Sequence, residues 1–267
     1  MNKKEHSVMI PETSFSRRSF LAGSIGSLAI AAVAASPIKP VQPLQKKIKA
    51  VAFDAFPIFD PRPIFALVNS MFPGKGAELA ETWRSRQFEY SWLRATGRAY
   101  KDFWAVTEDA LVFAARKTGI NLTPSDKKHL MDQYLSLNVW PDVLPALEAL
   151  RRDGIRLVFL SNMTSEMLKS CSANAKIEQY FDYIISTDSA KTYKPNPAAY
   201  QLAIDALQLS KDEILFAAFA GWDASGAKWF GYPTFWVNRQ DAPVEELGEM
   251  PDGIGKGMAE LVSFVGH

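Results

Sequence analysis

The 267 residues are 48% hydrophobic and 12% aromatic, enough apolar content for one sizeable α/β domain with an inserted subdomain. Thirty Lys and Arg against 29 Asp and Glu give a net charge of +1, and no basic run after residue 50 could neutralise a phosphate backbone, so nucleic acid is not an expected partner. A lone cysteine, Cys171, rules out an internal disulfide, and of three histidines only His129 falls within the folded body, in the polar stretch Asp126-Lys127-Lys128-His129, so neither a Ser-His-Asp triad nor a His-rich zinc site is expected.

The first segment in chain order is an address. Ser16-Arg17-Arg18-Ser19-Phe20-Leu21 precedes an apolar, small-residue run from Ala22 to Ala35, the charged, apolar, small order of an export signal. That run is shorter than the roughly 20 residues of a spanning helix and is rich in Gly, Ser and Ala. The arginine pair followed by Ser-Phe-Leu resembles the twin-arginine signal, which implies the twin-arginine translocon as a partner during export, a periplasmic location and cleavage after Ala34 or Ala35. Residues 1–35 hold four Lys and Arg against two Asp and Glu, so the remainder, 26 against 27, is close to neutral. Residues 36–47, with three prolines and Lys46-Lys47, read as a linker.

Ile48–Phe53 is a short β-prone run that meets an acid at Asp54 and is followed by a proline-punctuated turn from Pro57 to Pro63. From Ile64 to Tyr134 the pattern is helical, with Phe88 and Trp92 at i,i+4 and breaks at Pro73-Gly74 and Thr118-Gly119, so residues 64–136 are expected to form an inserted helical cap. Alternation follows: helix 143–152, strand 155–160, helix 164–173, strand 183–186, helix 197–207, strand 214–218, helix 224–229 and strand 234–237. Strands separated by helices imply right-handed crossovers and a parallel sheet. Residues 48–63 and 137–267 are therefore expected to form an α/β, Rossmann-like core. Ligands of such sheets bind at the carboxyl ends of the strands, which selects Asp54, Ser161-Asn162 and the segment after Ala218, with Lys194 in a loop on the same crevice.

Four spaced segments carry a family likeness: Phe53-Asp54 after a strand, Leu160-Ser161-Asn162 after another, Tyr193-Lys194-Pro195 in a loop, and Trp222-Asp223 ahead of Gly226-Ala227. They resemble the motifs of the haloacid dehalogenase superfamily. Phe72-Pro73-Gly74, Thr82-Trp83-Arg84, Trp92-Leu93-Arg94 and Thr107-Glu108-Asp109 resemble the cap of its L-2-haloacid dehalogenases, and the likeness covers roughly residues 48–250. The resemblance implies Asp54 as the nucleophile that forms an ester, Arg84 as the holder of the departing halide and Lys194 as the cation that keeps Asp54 ionised and oriented. It implies Asp223 as the group that orients or deprotonates the hydrolytic water, and Ser161 and Asn162 as the grip on the substrate carboxylate or halide. Phe56, Phe103 and Trp222 are expected to wall the substrate pocket. A small-molecule substrate and no cofactor or metal follow, since Phe56 replaces the second acid of phosphatase relatives and the last motif offers Asp223 alone. Apolar surfaces on a helical cap allow a homodimer.

The sequence also departs from the pattern. Asp54-Ala55-Phe56-Pro57-Ile58-Phe59-Asp60 is one residue shorter than the usual first motif and lacks its Gly-Thr, and Ala218 and Ala220 replace a usual Ser and Asn. The expected losses are a hydroxyl and backbone donors beside the nucleophile and two polar groups near the hydrolytic water, each able to cost a few kcal/mol of transition-state stabilisation. Three readings stay open: a 2-haloacid dehalogenase, a phosphatase or phosphonatase of the same fold, and a non-catalytic protein that binds a small carboxylate.

Overall fold

The computed structural model describes residues 48–266; the expected signal (1–35) and linker (36–47) lie outside the described residues. Six strands, β1 (Ala50–Phe53), β2 (Arg156–Ser161), β3 (Tyr183–Ser186), β4 (Ile214–Ala218), β5 (Thr234–Val237) and β6 (Gly253–Gly255), form one parallel sheet in the order β3-β2-β1-β4-β5-β6. The central strands β1 and β4 are buried at every position, as expected where both faces of a parallel sheet are covered. Alternate residues separate into two cores. Val51, Phe53, Leu157, Phe159, Leu215 and Ala217 face one side, and Ala50, Ala52, Val158, Leu160, Phe216 and Ala218 the other.

Helices α1 (Arg62–Met71), α2 (Gly76–Thr96), α3 (Phe103–Lys117) and α4 (Pro124–Asp132) all fall between β1 and α5 (Val143–Arg152). Asp102 accepts from Ala105 N at 2.8 Å to cap α3, and Thr123 and Asp126 form a capping box on α4 with Pro124 in its first turn. Helix α1 starts inside the segment expected to be a turn, because Pro63 lies in the first turn, where its missing N–H leaves no intrahelical bond unmade. His129 is exposed on α4.

The core helices are α6 (Ser165–Asn174), α7 (Pro197–Leu207), α8 (Gly221–Phe230) and α9 (Met258–Val265). Helix α8 begins three residues earlier than expected, after the uncapped Ala220, and so places Asp223 in its first turn. Strand β6 and helix α9 were absent from the sequence expectation. Two of the three residues of β6 are glycines, which give no hydrophobic pattern; a Cβ on Gly253 or Gly255 would stand 2.7 or 2.8 Å from the Phe235 ring.

The chain leaves β1 for β2 and β3 on one side, then returns to β4, β5 and β6 on the other. The switch point, where ligands of open α/β sheets bind, is therefore between the carboxyl ends of β1 and β4. Phe53 pairs with Phe159 and Ala217, so Asp54 emerges one residue beyond, with its N–H on Ala217 O at 3.0 Å.

Candidate active site

Three chain segments converge at that switch point. Asp54 leaves β1, Ser161 closes β2, and the loop before α7 brings in Lys194. The Lys194 ammonium, 1% exposed, lies 2.9 Å from Asp54 Oδ1 and 2.5 Å from Asp223 Oδ2, and 4.8 Å above the Phe216 ring. Burial pulls the pKa of this lysine down, but the two carboxylates outweigh it and hold it above the ordinary lysine value. Asp223 is 1% exposed, and burial, with the charge of Asp54 adding to it, pushes its pKa up to about 6 against the opposing pull of Lys194. The space between the two carboxylates is thus filled by a side-chain cation.

Asp54 has two unequal oxygens. Oδ1 accepts from Lys194 Nζ and from Ser161 Oγ at 3.1 Å, whereas Oδ2 has only the Phe56 N–H at 3.4 Å. One backbone donor therefore persists beside Asp54 despite the shortened first motif, contrary to the sequence expectation. The loop is held from outside. Trp140 Nε1 donates to Phe56 O at 2.9 Å, and Arg239 Nη2 donates to Pro57 O at 3.0 Å while pairing with Asp142 at 2.8 Å.

Ser161 and Asn162, expected to grip substrate, both face the site and also hydrogen-bond within it. The Ser161 hydroxyl donates to Asp54 and accepts from Met163 N, and Asn162 Oδ1 accepts from Lys194 N at 3.0 Å and Thr187 Oγ1 at 3.2 Å. The Ser161 hydroxyl thus braces Asp54, and the Asn162 carbonyl oxygen braces the lysine loop. Ala218 is fully buried in the sheet core, and Ala220 stands just before α8 in the wall of the site; neither brings a polar side chain.

A cavity of about 50 Å3 lies against Asp54 and is walled by Phe56, Arg84, Phe103, Asn162, Trp222 and Asp223 among others, so all nine expected site residues either line it or, as Lys194 does, hold its carboxylates. Arg84, on α2, is exposed, makes no ion pair with any described residue and lines the cavity. Phe56 packs on Phe219 with ring centroids 5.8 Å apart, and Trp222 meets Phe88 and Trp92 edge-on at 5.7 and 5.3 Å. Trp92 Nε1 donates to Lys194 O at 3.2 Å, a direct tie from α2 to the lysine loop.

The sequence expectation missed four polar neighbours. Tyr200 donates from its hydroxyl to Asp223 Oδ1 at 2.7 Å, and burial, followed by the charge of Asp223, holds its phenol well above the ordinary tyrosine value, so it remains a donor. Gln87 donates to Thr107 Oγ1 at 2.6 Å and to Tyr134 Oη at 3.3 Å, and Gln240, after β5, joins Gln87 and Tyr134 in the cavity wall. Nothing local marks them: Tyr200 is one more apolar position of an amphipathic helix until α7 and α8 are packed together.

The class of scaffold is a parallel α/β sheet that gathers a strand-end aspartate, a bridging lysine and a second buried aspartate at its switch point. The chain belongs to the haloacid dehalogenase-like hydrolases, whose family model matches residues 43–231. It is 38% identical over 203 residues to an (S)-2-haloacid dehalogenase of Pseudomonas sp. strain YL, covering 76% of this chain and 88% of that enzyme. It is likewise 38% identical over 204 residues to haloacetate dehalogenase H-2 of Moraxella sp. strain B, covering 76% of this chain and 91% of the relative. Among solved structures, the L-2-haloacid dehalogenase of Xanthobacter autotrophicus with chloropropionic acid covalently bound superposes with a TM-score of 0.75 at 31% identity, over 82% of this chain and 98% of that one. Another L-2-haloacid dehalogenase reaches 0.81 at 39% identity, over 83% and 100%.

Proposed function

We propose that this chain hydrolyses the carbon–halogen bond of 2-haloalkanoic acids through an ester on Asp54. The observation that carries the reading is the single buried ammonium of Lys194 shared between Asp54 and Asp223. With Oδ1 held by two donors, Oδ2 is the atom free to attack C2 from behind the halogen; the C–X electron pair leaves with the halide, whose charge Arg84 receives. Water then adds to the carboxyl carbon of the ester, Asp223 takes a proton, and the oxyanion forms at Oδ1, where Lys194 and Ser161 already donate. The alkyl oxygen leaves as a 2-hydroxy acid, so C2 is inverted once, and each turnover releases one halide and one proton. The covalently bound chloropropionic acid of the Xanthobacter relative supports the ester.

Halide release from 2-chloropropionate and haloacetates, followed with and without chelator, tests the reading. Release that survives chelation is expected, since Lys194 occupies the place between the carboxylates. Release abolished by chelator, or phosphate released from phosphate esters instead of halide, would contradict it. Phe56, two residues after Asp54 and packed on Phe219, offers no acid to protonate a phosphate leaving group.

We further propose that the chain is exported to the periplasm by the twin-arginine translocon. The reading rests on Ser16–Leu21 and the small-residue run after it, which precede the family-matched region. Changing Arg17 and Arg18 to lysine is expected to retain the protein in the cytoplasm on cell fractionation; unchanged export would overturn this.

A further inference from the structure

The cavity against Asp54 is too small for more than the reacting end of a substrate. At about 10–15 Å3 for each water-sized group, it seats roughly three to five such groups, which the carboxylate, C2 and the halogen already fill. Its volume is about 50 Å3, but it shares Arg84, Phe88, Ala220, Trp222 and Gln240 with a second, more open cavity of about 620 Å3. The larger space therefore adjoins the smaller one along these residues, and a group too large for the smaller cavity can extend into it.

The walls of this vestibule have a definite chemistry. Phe65, Phe88, Trp92, Phe219, Trp222 and Trp236 line it, and Phe88, Trp92 and Trp222 pack on one another with centroids 5.3 to 5.9 Å apart. Its ionisable wall residues are Glu81, Glu89 and Glu245 against Arg84, which also lines the smaller cavity; Glu89 is paired with Arg86 at 2.5 Å, so the excess of carboxylates comes from Glu81 and Glu245. Carboxylates at the rim repel a second anionic group, and the rings favour apolar surface. On the dehalogenase reading, we infer that the vestibule is a subsite for the C2 substituent, and that the preferred substrates are monocarboxylic 2-halo acids with an uncharged apolar chain or ring of about four or more carbons on C2.

The test compares kcat/KM for 2-bromopropanoate, 2-bromohexanoate, 2-bromo-3-phenylpropanoate and 2-bromosuccinate. The hexanoate and phenylpropanoate are expected to exceed propanoate by about 10-fold, because each further buried methylene strengthens binding several-fold, and the succinate is expected to fall below it. Ser85→Trp and Ala242→Trp, which place bulk in the vestibule from opposite elements, should each lower the hexanoate-to-propanoate ratio by about 10-fold. A ratio at or below one in the unmodified protein, or one unmoved in both variants, would overturn the subsite. Calorimetric binding of 3-phenylpropanoate against propanoate gives a second readout, with about 10-fold tighter binding of the former expected. Absence of halide from every acid would overturn the dehalogenase reading, while that binding ratio would still decide the subsite.

Discussion

Lys194 bridges two buried carboxylates with one positive charge, and removing it would leave both without a cation. Lys194→Met is expected to destabilise the fold by about 3–5 kcal/mol in denaturant titration, the cost of orphaning buried charge, as well as to abolish turnover. A loss under about 1 kcal/mol would show that the carboxylates find other partners. On the proposed mechanism, Asp223 sets the acid limb. Burial pushes its carboxyl up to about 6, and only the ionised form accepts a proton from water, so ester breakdown is expected to fall tenfold per unit as the pH drops below about 6. Tyr200 donates to that carboxylate and so favours its charged form; Tyr200→Phe should move the limb to higher pH. Rapid-quench measurement of ester decay against pH checks both, and an unmoved limb in the variant would contradict the role of Tyr200.

Among the elements, α8 and the lysine loop must approach unusually closely. A Cβ at Gly226 would stand 2.6 Å from both Pro195 Cβ and Tyr200 Oη, so Gly226→Ala should push away the loop that carries Lys194. We expect a loss of about 1–3 kcal/mol together with a reduced kcat, read by thermal melting and steady-state halide release. Native stability and rate in this variant would show that the loop has slack. The strands and most core helices were legible because buried parallel strands are short apolar runs and the helices carry clear period and caps; α5, β3, α7, β4 and β5 lie where the pattern puts them. What was not legible was set by tertiary contact. Strand β6 exists through the close approach of glycines to Phe235, and the early start of α8 rests on backbone rather than on a capping side chain. In the site, Asp54 is legible as an acid at a strand end, and Arg84, Lys194 and Asp223 by family spacing. Tyr200 and Gln240 are not, because their roles depend on which distant segments are folded against them.

Across the molecule, sheet order concentrates chemistry at one place. The strand order changes sides between the parallel strands β1 and β4, which opens a crevice at their carboxyl ends, and α2, inserted after β1, returns over it with Arg84, Phe88 and Trp92. With Ala218 and Ala220 bringing no polar side chain, Asp54 is held by Lys194 and Ser161 on one oxygen, and its loop by Trp140 and Arg239. That arrangement makes a definite claim about where the product oxygen comes from. With enzyme in excess over 2-bromopropanoate in oxygen-18 water, a single turnover should give 2-hydroxypropanoate whose hydroxyl is unlabelled, with the heavy oxygen recovered in the Asp54 carboxylate by peptide mass spectrometry. Label in the hydroxyl of the first product, with Asp54 unlabelled, would mean that water attacks C2 directly and would contradict the account.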